Sequence, residues 1–145
     1  MLRRTLLIAA LAIAFGAFGA APSRADDPKT LLFINLTSDD VWIQQMALGF
    51  ADKVLDMGHP VAVFLNVRAV TLGNRKVPQH VEAATGKTGH QMLQALMAKG
   101  ARIFLCPGCT QQAGLSVEDR LEGVQLGGLE MRQLLMQPAT KVMSY

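Results

Sequence analysis

Cysteine is scarce: among 145 residues only Cys106 and Cys109 carry a thiol. One pair is too few for the disulfide framework of a small secreted scaffold, and it leaves a closed zinc site two ligands short. The imidazoles that might complete such a site, His59, His80 and His90, are scattered singly at a helix end, in a loop and at a helix start. The apolar stretch from Leu6 to Phe18 falls short of the roughly 18 residues a membrane-spanning helix needs. Other absences narrow the chemistry further. "GKTG" (Gly86 to Gly89) lacks the GxxxxGK[ST] frame of a phosphate loop, and Ser38 lacks the surroundings of a nucleophile elbow. There is no internal repeat and no low-complexity tract.

What is present begins with a leader. "MLRRTLLIAALAIAFGAFGAAPSRADD" joins a basic start, a short apolar stretch and small residues ahead of an acidic pair, the pattern of a secretory signal peptide over residues 1–25. Ser23 and Ala25 place the cleavage after Ala25, with a cut after Ala21 as the alternative. Arg3-Arg4 also fits a twin-arginine signal, although doubled arginine is common in ordinary export signals. Periplasmic location follows as an expectation, with no membrane association after cleavage. Removing Arg3, Arg4 and Arg24 takes the formal charge from +3 to zero, so the basic balance belongs to the leader. The remainder has no lysine or arginine cluster to track a phosphate backbone, which argues against nucleic acid as a partner.

Residues 26–145 are one domain's length and read as alternating strands and helices. "TLLFINL" (30–36), "PVAVFLN" (60–66), "ARIFLC" (101–106) and "ATKVMSY" (139–145) read as strands, the first three as nearly continuous apolar runs of the kind covered on both faces. Between them the spacing of Val41, Ile43, Met46, Ala47, Phe50, Val54 and Leu55 predicts a helix over 39–57, closed by Gly58. A second helix is expected over 87–99, closed by Gly100. Right-handed crossovers then give an open parallel α/β sheet of flavodoxin-like type with helices on both faces. The stretch 68–88 is the least core-like part and is expected to be a surface loop.

Chemistry is best placed at "FLCPGCTQQ" (104–112). Open parallel sheets bind ligands beyond the carboxyl ends of their strands, and Cys106 stands at such an end. Pro107 suits the first turn of a following helix, whose free amides would lower the pKa of Cys106. Three uses of the pair remain open on the residues alone: a persulfide-forming nucleophile, a redox CxxC, or a binding site for a soft metal or small ligand. The redox reading matches in spacing and in following a strand, but the thioredoxin-type motif lies early in its domain, whereas this one follows three strands. Copper is the minor reading. Seven methionines accompany the thiols outside the leader, yet Met92 and Met97, like Met131 and Met136, are spaced as core filling and form no MxxM array. Asp39 and Asp40 in "TSDD" read as helix-capping acids rather than an acid–base pair. Trp42, the only tryptophan, falls early in the first helix.

Taken in order, "SDD" after the first strand, "MGHPVAVFLNVRAV", "LMAKGARIFLCPGCTQQAGL", "LEGVQLGGLEMRQLL" and "KVMSY" resemble the DsrE/DsrF-like family of small sulfur-relay proteins over about residues 30–145. The resemblance implies a DsrE-like domain that assembles into trimers or hexamers. It also implies Cys106 as the residue that accepts sulfur as a persulfide, with sulfur donor and acceptor proteins or small sulfane-sulfur compounds as partners; no cofactor or metal is expected. Cys109 departs from the single-cysteine pattern of many members, and its expected role is that of a resolving or assisting thiol.

Overall fold

The run Leu31–Leu36 has no alternation of polar and apolar residues because both of its faces are covered. In the computed structural model, which describes residues 29–145, it forms β1 at the centre of the fold, with Phe33, Ile34 and Leu36 almost wholly buried. The signal peptide, its cleavage site and the N-terminal boundary of the domain at residue 26 lie outside the described residues. After β1 come α1 (Val41–Asp56), β2 (Val61–Leu65), α2 (Gly89–Ala98), β3 (Arg102–Leu105), α3 (Pro107–Gln112), β4 (Gln125–Leu126), α4 (Leu129–Leu135) and β5 (Thr140–Ser144). The five strands make one sheet in the order β4-β3-β2-β1-β5, every pair parallel. The expected parallel α/β sheet is therefore present, with helices on both faces.

The register sorts side chains between the two faces. Leu32, Ile34, Leu36, Val63, Leu65, Ile103 and Leu105 form the larger cluster with Ala47, Leu48 and Ala51 of α1 and with Met92, Leu93 and Leu96 of α2. Leu31, Phe33, Ala62 and Phe104 point the other way and meet α4 through Met131, Leu134 and Leu135. Connections run β1 to β4 in one direction across the sheet, and the last connection returns past β1 to β5. Right-handed crossovers then put the first helices on one face and α4 on the other, as the two clusters record.

Helix boundaries follow local chemistry. Asp40 caps α1 by accepting from the amides of Trp42 and Ile43, and Gly58 at φ +80° ends it. Thr88 and Gln91 form a reciprocal capping box at the start of α2. Of the apolar residues whose spacing predicts α1 only Ala47 is fully buried; Ile43, Met46 and Phe50 are exposed, and Leu48 and Ala51 face the core instead. Gln44 is buried, its amide donating to the Ser38 carbonyl, while Trp42 and Met46 stand 81% and 66% exposed.

Two further sequence expectations need correction. The stretch after β2 does not begin as a surface loop: Val67–Gly73 is a 3-10 helix with Ala69, Val70 and Leu72 fully buried. A Cβ on Gly73 would lie 2.8 Å from Leu105 and 3.0 Å from Leu65, so the glycine lets this segment press onto two strands at once. β4, only two residues long, was not visible as an apolar run because both of its side chains are exposed.

Candidate functional site

Cys106 directly follows β3 and donates its amide to the Leu65 carbonyl, so it is tied to the neighbouring strand. It is also the N-cap of α3. Pro107 takes the first position of that helix, where no amide hydrogen is needed, and the Cys109 amide donates to Cys106 Sγ at 3.3 Å. Buried Thr110 locks the turn from beneath by donating both its amide (3.0 Å) and its hydroxyl (2.7 Å) to the Cys106 carbonyl. The two thiols are free and half-buried, three residues apart on one turn.

From sequence, the amides of the following helix are expected to lower the pKa of Cys106. The balance goes the other way: burial, followed by the neighbouring Cys109 side chain, raises it, and the amides of Cys109 and Gly108 only partly offset them. The thiols also differ in access. Cys109, with Gly108 on α3, lines a cavity of about 600 Å³ whose opposite wall carries Val67, Arg68 and Thr71, with Asp39 at its edge. Cys106 does not line that cavity.

The opposite wall was not legible as a site. Arg68 donates Nε to Asp39 Oδ2 at 2.8 Å, and its Nη2 lies 2.6 Å from the same oxygen. Of the two acids read as a capping pair, only Asp40 caps; Asp39 faces Arg68. Val67 sits at φ +50°, a left-handed conformation that is a genuine outlier for a β-branched residue. Its neighbours impose it. The Asn66 side chain donates to Asn35 Oδ1 at 2.6 Å, while the amides of Arg68 and Ala69 both donate to the Thr37 carbonyl. A residue pinned on both sides has no room to relax, and a left-handed β-branched residue carries strain on the order of 1–3 kcal/mol. The one sequence signal was position: Arg68 follows the end of β2 as Cys106 follows the end of β3.

Topology singles out the same end of the sheet. β3 leads to α3 on the larger-cluster face and β4 leads to α4 on the other, so the crossover direction switches beside Cys106. The histidines do not converge on the thiols: His59 contacts the Thr30 carbonyl, His80 lines a separate cavity, and His90 lies in the first turn of α2. Among the described residues no group of three or more His, Cys, Asp or Glu is placed to hold a metal ion. None of their helices is long and apolar enough to cross a membrane.

Glu82 is a further residue missed in the sequence. It lines the second cavity, beside His80, and is almost fully buried with Oε2 unpaired. Burial raises its pKa, and the neighbouring His80 charge opposes the rise only in part.

Comparison with known families decides the kinship of this site, since residues 29–145 match the DsrE/DsrF-like family. The chain belongs to that family. DsrE-like proteins are associated with sulfur relay, and two DsrE-like structures share the fold seen here. The ychN protein of E. coli superposes with a TM-score of 0.60 at 23% identity, covering 81% of this chain and 99% of its own. MTH1491 of Methanobacterium thermoautotrophicum, described as of unknown function, superposes at 0.65 with 12% identity, covering 81% and 100%. At these identities the likeness is one of fold. The uncharacterized protein MK0008 of Methanopyrus kandleri is 34% identical over 85 residues, which is 55% of this chain and 63% of that protein, just under two thirds of its length.

Proposed function

We propose that this DsrE-like protein is an exported, periplasmic sulfur carrier or sulfurtransferase that holds sulfane sulfur as a persulfide on Cys106 and yields it to an acceptor thiol. One observation carries the reading. Two free thiols share one turn at the carboxyl end of β3, where the Cys109 amide donates to Cys106 Sγ, and Cys109 opens on a cavity large enough for a small sulfur compound. A thiolate there displaces the donor's leaving group from its outer sulfur, and a new sulfur–sulfur bond replaces the one broken. Cys109 assists the transfer or resolves the persulfide. In the second case its thiolate attacks the inner sulfur, releases hydrosulfide and leaves a Cys106–Cys109 disulfide.

Incubation with a sulfane donor followed by intact-mass and peptide mass spectrometry tests the proposal. A gain of one sulfur on the cysteine peptide supports it, and no gain in either wild type or Cys109→Ser rejects it. Two free thiols at CxxC spacing also favour thiol–disulfide exchange as a second reading. That reading requires a reversible Cys106–Cys109 disulfide and reductase activity towards a protein disulfide, without retained sulfur.

Self-association belongs to the same proposal. Trp42, Met46, Phe50 and Met57 leave apolar surface exposed along α1, beyond what isolated surface residues account for. A trimer or hexamer in light scattering, shifted towards monomer by Met46→Glu, is expected; a wild-type monomer rejects assembly.

A further inference from the structure

We propose that the cavity beside Cys109 seats a small anionic sulfane-sulfur compound, with Arg68 binding its charged end and Cys109 meeting its outer sulfur. This rests on the carrier reading and gives it a donor class and a direction of entry. Cys109 then receives sulfur before Cys106.

The charged groups on the cavity wall are Arg68 and Asp39. Both donors that Arg68 commits, Nε and Nη2, go to one oxygen, Oδ2 of Asp39. Nη1 makes no hydrogen bond among the described residues, and a planar guanidinium with five N–H donors can serve a second anion while keeping the first. The backbone of Arg68 is fixed by its amide's bond to Thr37 and by the left-handed Val67 before it, so the cation stands at the mouth without a search through loop conformations. Opposite, Gly108 and Cys109 bring little bulk, and a largely apolar wall suits a polarizable sulfur atom. A volume of about 600 Å³ exceeds what thiosulfate or a short polysulfide needs and is far too small for a folded donor protein. The wall therefore fits a free compound better than a docked domain.

With thiosulfate the step balances without an oxidant. Cys109, its proton released to solvent, attacks the outer sulfur. A Cys109–sulfur bond forms, the bond to the sulfonate sulfur breaks, and the bonding pair leaves on sulfite beside Arg68. Cys106, whose Sγ accepts the Cys109 amide, then displaces that outer sulfur onto itself. Its bond to the moving sulfur forms, the Cys109–sulfur bond breaks, and Cys109 takes up the proton that Cys106 gives up.

Isosteric alkylating agents separate this from the carrier reading, because they need no sulfur chemistry. Timed mass spectrometry with iodoacetate (anionic) and iodoacetamide (neutral) should find Cys109 modified faster than Cys106 in the wild type. The iodoacetate-to-iodoacetamide rate ratio should fall about tenfold in Arg68→Gln and recover in part in Arg68→Lys. The thiosulfate concentration for half-maximal sulfur loading should rise by a similar factor in Arg68→Gln, with the maximal rate little changed. Arg68 is exposed, so circular dichroism should show these variants folded. An unchanged rate ratio, or faster alkylation of Cys106 than of Cys109, overturns the subsite. A wild-type protein that shows the Arg68-dependent ratio yet never gains sulfur keeps the anion subsite and overturns the carrier reading.

Discussion

Strands β2 and β3 are parallel neighbours, and each runs directly into a short helical turn beyond its carboxyl end. After β3 the turn carries the two cysteines and is locked by polar bonds from Thr110 to a single carbonyl. After β2 the turn carries Arg68 and is locked by burial of Ala69, Val70 and Leu72 and by a strained Val67. Facing walls of one cavity are thus built by different physics. Reactive groups are presented by hydrogen bonds at one wall, and a cation is presented by packing and strain at the other. Substitutions at the two walls should therefore differ in kind as well as in size.

The largest effect is expected from Leu72→Ala, which deletes a fully buried side chain beneath the β2 turn and should lower stability by about 3 kcal/mol. Chemical denaturation measures it, and a loss below about 1 kcal/mol would return the segment to the surface loop that its sequence suggested. Next comes Glu82, whose unpaired, buried carboxylate is a burden at neutral pH. Glu82→Gln should stabilise the fold by about 1.5 kcal/mol at pH 7–8. The sign follows from its raised pKa: the folded state favours the protonated acid, so the native contribution is intact below about 4.5 and is lost as pH rises through the raised value. The benefit of glutamine should accordingly vanish near pH 4, and a pH-independent difference in melting would contradict the assignment.

On the β3 side Thr110→Val keeps the shape but removes the hydroxyl bond to Cys106, and a loss of about 1 kcal/mol is expected. Thiol alkylation rates should shift with it, since the turn that holds the sulfur atoms loosens. Smallest is Val67→Gly. Relief of the left-handed strain, partly offset by the entropy of a freer unfolded chain, should stabilise by about 0.5–1 kcal/mol. Thiosulfate loading should weaken at the same time, because Arg68 is no longer pinned. A destabilised Val67→Gly protein would mean that the turn is not strained.

How much was legible in the sequence follows the same divide. β1, β2 and β3 were visible as continuous apolar runs because both of their faces are covered, and α1 and α2 as helices closed by Gly58 and Gly100. The cysteine pair announced itself by residue type and by its place at a strand end. The cavity's other wall did not, because a φ of +50° at Val67 and a 2.8 Å approach at Gly73 are consequences of tertiary contacts that no local pattern encodes. Nor did residue type reveal that burial would outweigh helix amides at Cys106, or that Gln44 would be buried while Met46 faced out.

The central claim is that the Cys106–Cys109 unit takes and holds sulfane sulfur. Peptide-resolved mass spectrometry after brief incubation with thiosulfate tests it most directly, run in parallel on wild type, Cys106→Ser and Cys109→Ser. One added sulfur is expected on the cysteine peptide of the wild type, resting on Cys106, with a marked slowing of its arrival in Cys109→Ser. Absence of any added sulfur in the wild type and in Cys109→Ser alike, with both thiols intact, would contradict it.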